Sequence, residues 1–252
     1  MVISLEIAKR DIHSFLRNKT VYLLLFLFSI ILSYTYLRGM FVLDNLSIAP
    51  QNNYQVYFHR LVLGLISILN VAFVFFIPVF AIKLITEQVR DGGFNLLLTS
   101  PIRVRDIVIG KYLAMTFMVL ALLACALVYP LASLFFVDVD LNLLFSSFLG
   151  IFLMSLVYMS ISLFFSTLTT SVVINSILSV CTILLILLLG DLVYVSNNQV
   201  LSEVFNYISI VRHYNYFMVG LLKMKSVFFM LSIAALFSIL TARAVYALKG
   251  RL

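Results

Sequence analysis

The sequence predicts an all-α membrane protein with six transmembrane helices, and three observations carry that reading. Of its 252 residues, 63% are hydrophobic and only 11% charged, with a mean hydropathy of +1.15, whereas a soluble domain carries about 25% charged residues. The uncharged windows are long enough for helices that cross a bilayer, which take about 20 residues at 1.5 Å rise. Period-2 alternation is absent, which argues against a transmembrane barrel.

The windows are Thr20–Leu37, Leu61–Ile82, Tyr112–Val137, Leu141–Gly190 and Ser226–Ala242, of 18, 22, 26, 50 and 17 residues. The 50-residue window holds two helices, and its most polar stretch, Ser166-Thr-Leu-Thr-Thr-Ser171, is the turn between them. The predicted spans are 20–40, 61–85, 112–136, 143–165, 172–194 and 227–247. No second domain or cleavable signal peptide is expected: the first apolar run is long for a signal and reads as the first span. Lys and Arg divide twelve to five between the two sides of these spans. That bias places both termini on the cytoplasmic side, and points to lipid headgroups rather than nucleic acid as the partner of the +7 net charge.

Residues 2–17 put Leu5, Ala8, Ile12, Phe15 and Leu16 on one helical face, with Glu6, Lys9, Arg10, His13 and Arg17 on the rest. This predicts an amphipathic elbow helix over 1–19, lying in the membrane interface. It either braces a cytoplasmic partner or anchors the first span; Leu5, Lys9, Arg10 and Ile12 are its marker residues. Pro78, within the second span, predicts a kink there, static or hinged.

The loop 83–111 concentrates eight charges in 29 residues between two uncharged spans. The second span is predicted to continue as a helix to about Arg90, where Asp91-Gly92-Gly93 breaks it. Phe94–Leu98 is a short apolar segment, and Ser100-Pro101 reads as an N-cap with proline in the first turn of a helix leading into span three. A mere connection needs only a few residues. Segment 195–225 is too apolar for a solvated loop and too polar for a span, which predicts short helices dipping into the outer membrane face.

Cys125 and Cys181 lie inside spans and are expected to act as small packing residues, with no metal or disulfide role. Asn70 and Asn175 are expected to hydrogen-bond between helices. Asp138 and Asp140 read as a solvated turn, Asp191 as a span boundary, and His59 and His213 as interfacial residues. A membrane-embedded transferase needs paired carboxylates or a His/Asp cluster at a membrane face, and a channel needs polar rings; both remain as alternative classes without ATPase coupling.

The pattern Glu87-x-x-Arg90-x-Gly92-Gly93-x-x-x-Leu97-Leu98-x-Ser100-Pro101, followed by Gly110-Lys111 at a span start, resembles the ABC-2 class of ABC transporter permeases. The gliding-motility and copper-maturation branch is the nearest in pattern. Ser209…His213-Tyr-x-x-Phe217-x-x-Gly220 resembles that branch's outer re-entrant segment, of which His213, Phe217 and Gly220 are the marked residues. Where the branch usually has Gly-Thr-x-Glu, this chain reads Gly92-Gly93-Phe94-Asn95.

The resemblance implies one transmembrane domain over 1–252, an ABC ATPase as partner, and a second permease copy or a related permease. It also implies a bacterial inner-membrane location, export or mechanical transduction as the task, and accessory envelope proteins. No phosphate-binding Gly-x-x-x-x-Gly-Lys-Ser/Thr sequence is present, so ATP and Mg are expected on the ATPase, with no cofactor or metal on this chain. The implied ATPase-docking set is Glu87, Arg90, Gly92, Phe94, Leu96, Leu97, Leu98, Ser100, Pro101 and Arg103: an apolar plug with a charged rim that also takes in Arg105 and Asp106.

Overall fold

The computed structural model describes residues 2–45, 54–99, 102–133, 140–190 and 207–250, and every regular element among them is helical. In chain order these are α1 (Val2–Arg17), α2 (Lys19–Asn45), α3 (Tyr54–Ala81), a π-helical turn (Ile82–Thr86), α4 (Glu87–Arg90) and α5 (Gly93–Thr99). They continue with α6 (Val104–Ala132), α7 (Leu141–Ser166), α8 (Val172–Leu188), α9 (Ile210–Met218) and α10 (Met224–Lys249).

Five stretches are long and apolar enough to cross a membrane: Lys19–Phe41, His59–Arg90, Val104–Ala132, Leu141–Ser166 and Met224–Lys249. They match five of the six predicted spans. The span expected at 172–194 corresponds to α8, an apolar helix of 17 residues, and Asp191 lies outside the described residues, as does Asp138. The predicted turn is where the sequence put it, with α7 ending at Ser166 and α8 starting at Val172.

α7 is the central helix, packing against α3, α6, α8, α9 and α10. Its buried face includes Ser146, Ser147, Ser155, Ser160, Ser162 and Ser166. Small side chains let neighbouring helices approach closely in a membrane protein. Several of these hydroxyls donate to carbonyls one turn back in α7 itself, as Ser160 does to Val157 and Ser166 to Leu163. Tyr158 of α7 donates to the Asn70 side chain of α3 at 2.8 Å, an interhelical bond of the expected kind. Cys125 and Cys181 differ from expectation: both are exposed.

A π-helical turn follows the proline at which the sequence predicts a kink. Pro78 lies inside α3, and Ile82–Thr86 follows one turn later, with the Glu87 N–H donating to the Ile82 carbonyl five residues back. Such single π turns relieve a disturbed hydrogen-bond ladder and re-aim the residues after them.

At the far end, α9 is built by residues each with a distinct task. The Ser209 hydroxyl caps it by accepting from the Arg212 N–H at 3.2 Å. Gly220 ends it with φ of 82°: the Leu221 N–H reaches the Tyr216 carbonyl at 2.9 Å and the Gly220 N–H reaches Phe217 at 3.1 Å, the hydrogen-bond pair of a Schellman cap. Phe217 is fully buried over Gly150 of α7, where an added Cβ would lie 2.5 Å from the Phe217 Cβ. The Phe217 carbonyl accepts from Ser146 at 2.9 Å and Ser147 at 3.4 Å. Replacing Gly150 with Leu should therefore lift α9 off α7 and destabilise the chain by about 1–3 kcal/mol, read as a lower melting temperature in detergent; an unchanged melting temperature would show that this contact carries no weight.

Candidate functional site

The site is the end of the bundle that carries α1, α4, α5 and the start of α6. The helix continuing from α3 runs to Arg90 as predicted, and Gly92, with φ of 75°, turns the chain into α5. The Arg90 and Asp91 side chains, 58% and 70% exposed, form a loose ion pair at 3.6 Å. Glu87 is half-buried and Arg103 exposed.

Two docking residues point elsewhere than a protruding plug would place them. Phe94 is 1% exposed and Leu97 8%; Phe94 sits among Ile85, Ile107, Val108, Leu163 and Val245. The apolar segment is one short helix whose inner face joins the chain's own core. The physical reason is burial: a Phe or Leu turned inward leaves water for a contact worth about 1.5–3 kcal/mol. The side chains of Leu96 and Leu98 lie outside the described residues, as do Ser100 and Pro101. The helix start expected there is corrected: α6 begins at Val104, with Arg103 extended in the capping position and no side-chain cap. Ile102 precedes it, and its carbonyl accepts from Lys249 Nζ of α10 at 3.1 Å, which ties the extended residues to the end of α10.

A helix forms at α1 where the sequence predicts one, but a different face packs inward. Ser4, Ile7, Ala8, Asp11 and Phe15 are buried, a stripe at i, i+3, i+4, i+7 spacing. Leu5 is 57% exposed and Leu16 also exposed, Lys9 and Arg10 are exposed, and Ile12 is partly buried. α1 lies against α6 at Gly110, where a Cβ would come within 2.9 Å of Ile7 and of the Ser4 carbonyl. Any larger residue at position 110 would hold α1 away.

That close approach brings Asp11 to Lys111. Lys111 Nζ lies 2.7 Å from Asp11 Oδ2, and both side chains are 1% exposed. Gln88 of α4 closes the group: its Oε1 accepts from Lys111 Nζ, and its Nε2 donates to Asp11 Oδ1 at 3.3 Å. The amide thus offers its acceptor to the cation and its donor to the carboxylate. Arg10 adds a contact to Asp11 Oδ1 at 3.4 Å from the surface. Three elements distant in sequence meet at one buried, charge-matched cluster.

Two residues before Gln88, Thr86 makes the complementary connection. Thr86 is buried within the π turn; its hydroxyl donates to the Ser166 carbonyl at 3.3 Å and accepts from Asn175 Nδ2 at 2.8 Å. Asn175, also fully buried, donates to the Thr169 carbonyl at 2.8 Å as well. The π turn and α4 are thereby fastened to α1 and α6 on one side and to the α7–α8 turn on the other. Sequence reasoning identified Asn175 as an interhelical hydrogen bonder but missed Asp11 and did not pair it with Lys111. The available signal was an acidic residue in register with Ser4, Ala8 and Phe15, on the side of α1 that carries no other charge.

At the opposite end, His213 is held by two bonds. Its Nε2 lies 3.1 Å from the Tyr207 carbonyl, which only accepts, so Nε2 carries the proton. Nδ1 then accepts from the Ser226 hydroxyl at 2.9 Å, and Phe229 stacks on the ring at 4.3 Å. Burial, and then the nearby Lys225, Arg212 and Lys223, push the His213 pKa below its usual value against the Tyr207 bond. His213 is therefore a structural clasp between α9 and α10.

The buried cluster makes a quantitative prediction. Removing one charge leaves the other unpaired away from water, at a cost of about 3–5 kcal/mol, whereas replacing both with apolar residues is often near neutral. Asp11→Leu or Lys111→Met alone should sharply lower the melting temperature in detergent, and the double variant should recover most of the loss. Additive losses would mean that the two residues do not act as a pair.

A family model described as ABC-2 family transporter protein matches residues 5–249, nearly the whole chain, from within α1 to the end of α10. No curated protein matches the sequence. The match covers the helices that build the cluster, the loop and the His213 clasp together, and the chain belongs to the ABC-2 family of transporter proteins, as a multi-pass membrane component.

Proposed function

We propose that this chain is the permease subunit of an ABC transporter that takes its motion from a separate ATPase docked on the loop 83–111. The observation that carries this reading is the double fastening of the π turn and α4: Gln88 to α1 and α6, Thr86 to the α7–α8 turn. A displacement applied to Arg90–Gly92 would reach the buried ends of several helices without an intervening flexible segment.

The docking surface in this reading is the outward side of the loop: Glu87, Arg90, Asp91 and the Gly92 turn, with Arg103 and the exposed Lys9 and Arg10 of α1 beside it. Phe94 and Leu97 serve it from behind by gluing α5 to the bundle. An apolar plug seated in the ATPase gives way to a charged, rigidly backed face, for which electrostatic complementarity sets specificity and encounter rate. Two permease copies, or this one with a related permease, would present two such faces to paired ATPase sites. Both termini lie on the cytoplasmic side of a bacterial inner membrane, as the basic asymmetry favours. The gliding-motility and copper-maturation branch remains the best sequence resemblance, with export or mechanical transduction as its task and accessory envelope proteins as further partners.

Two variants separate docking from folding. Reversing both exposed charges, Arg90→Glu with Asp91→Lys, should reduce co-purification of the ATPase by tenfold or more, since misplaced charge costs several kcal/mol at an interface, and should leave the melting temperature of the permease unchanged. Leu97→Ser should instead destabilise the permease itself by about 2–3 kcal/mol. Full co-purification of the charge-reversed chain would move the docking site to α1. A second expectation is that the purified permease alone hydrolyses no ATP; sustained hydrolysis by the contaminant-free chain would overturn the division of labour.

A further inference from the structure

We propose that the groove between α6 and α10 is a binding site for one anionic phospholipid, with its acyl chains along the groove and its phosphate between Arg105 and Arg243. The groove encloses about 1020 Å³ and is walled by one continuous face of each helix, with Leu156 of α7 at its floor. Val108 and Leu113 line one wall and Leu231 and Ile239 the other. The lining runs from Val104 to Thr116 on α6 and from Leu231 to Ala247 on α10, about 18 Å and about 24 Å at 1.5 Å per residue. One leaflet contributes about 15 Å of hydrocarbon, so the groove has the length of a single leaflet plus its headgroup layer.

Charge selects the occupant. Arg105 and Arg243 both line the groove and both lie at its loop end, where Lys249 holds the Ile102 carbonyl. Neither arginine has a carboxylate at ion-pair distance among the described residues, and no acidic side chain lines the groove. A transmembrane helix from a second copy would fill the apolar part but bring at most one carboxylate to the two arginines, because no candidate span carries more than one acid and those two, Glu87 and Asp106, lie at loop ends. A lipid phosphate supplies both the apolar length and the negative end, and arginine binds phosphate through paired N–H donors. Attraction of about 1 kcal/mol for each basic residue corresponds to a preference of roughly tenfold to thirtyfold for an anionic over a zwitterionic headgroup.

The chain contains no tryptophan, so one introduced residue is an unambiguous reporter. Ile239→Trp places it in the groove, and Phe26→Trp on the exposed face of α2 reports bulk lipid. Each full-length variant is reconstituted in vesicles of equal phosphatidylglycerol and phosphatidylcholine, with one lipid brominated at a time. Quenching of Ile239→Trp should favour brominated phosphatidylglycerol strongly, quenching of Phe26→Trp should be the same for both, and Arg105→Gln with Arg243→Gln should bring the groove reporter to parity. Native mass spectrometry of the unaltered chain in mild detergent should retain one phosphatidylglycerol, which keeps the test independent of any variant's folding. Equal quenching in the groove reporter, a preference that survives loss of both arginines, absence of quenching by either lipid because a protein helix fills the groove, or absence of retained lipid would each overturn the proposal.

Discussion

Asp11 and Lys111, 2.7 Å apart and each 1% exposed, decide where the first helix lies and therefore what the loop end of the bundle looks like. An isolated charge withdrawn from water at this depth carries a penalty of several kcal/mol, so neither residue is tolerable there without the other. Their meeting requires Gly110, which lets the α1 backbone reach α6, and Gln88, whose amide oxygen accepts from the lysine while its nitrogen donates to the aspartate. A buried ion pair is weak evidence for stability when compared with an apolar pair of the same volume. Its contribution here is to register: α1 slides or rotates only by breaking the pair, whereas a greasy contact along Ile7, Ala8 and Phe15 would tolerate small slips.

The polar groups of the bundle concentrate at its two ends and serve one purpose at each. At the loop end, Thr86 closes the π turn and Gln88 follows two residues later in α4, and they face different neighbours because helical positions two apart do not share a face. The π turn sets that facing: without the inserted residue every side chain after Thr86 would be rotated by about 100° relative to α3. At the other end, His213, Ser226 and the Tyr207 carbonyl clasp α9 to α10, while Gly150 and Phe217 clasp α9 to α7. The middle of the bundle is held by apolar packing and by Tyr158–Asn70, so each end carries its own polar lock.

The spans were legible because uncharged length is a one-dimensional signal, and five of them match candidate crossings; the Ser166–Ser171 turn was visible for the same reason. The helix break at Gly92 was legible because capping is local chemistry, whereas the pattern from Ser209 to Gly220 was read only as a family resemblance. What sequence could not reveal was direction. The apolar moment of α1 groups Leu5 with Ile12 and Phe15, but Asp11 is drawn inward by a lysine 100 positions away, and the helix turns with it. Phe94 and Leu97 read as a protruding plug because their neighbours in sequence are charged, whereas their neighbours in space are Ile85, Ile107, Leu163 and Val245. The start of α6 was misplaced because Ser100-Pro101 is a strong local signal, yet Arg103 stays extended, just after the Ile102 carbonyl that Lys249 holds.

The basic charge of the loop, a single topology signal in the sequence, divides into three physical roles once the side chains have places. Lys111 is spent inside the protein on Asp11 and Gln88, and has no part in any surface potential. Arg90, beside Asp91, stays in water on a rigid turn, where a charge is worth little for stability but directs the approach of a partner. Arg105 stands one residue before Asp106 and on the other side of the helix from Lys111, at the mouth of an apolar groove with Arg243 opposite. The net charge of +7 therefore cannot be treated as one field. A substitution at each of these positions removes the same unit of charge and acts on a different process: the register of α1, the capture of a soluble partner, or the hold on the surrounding lipid.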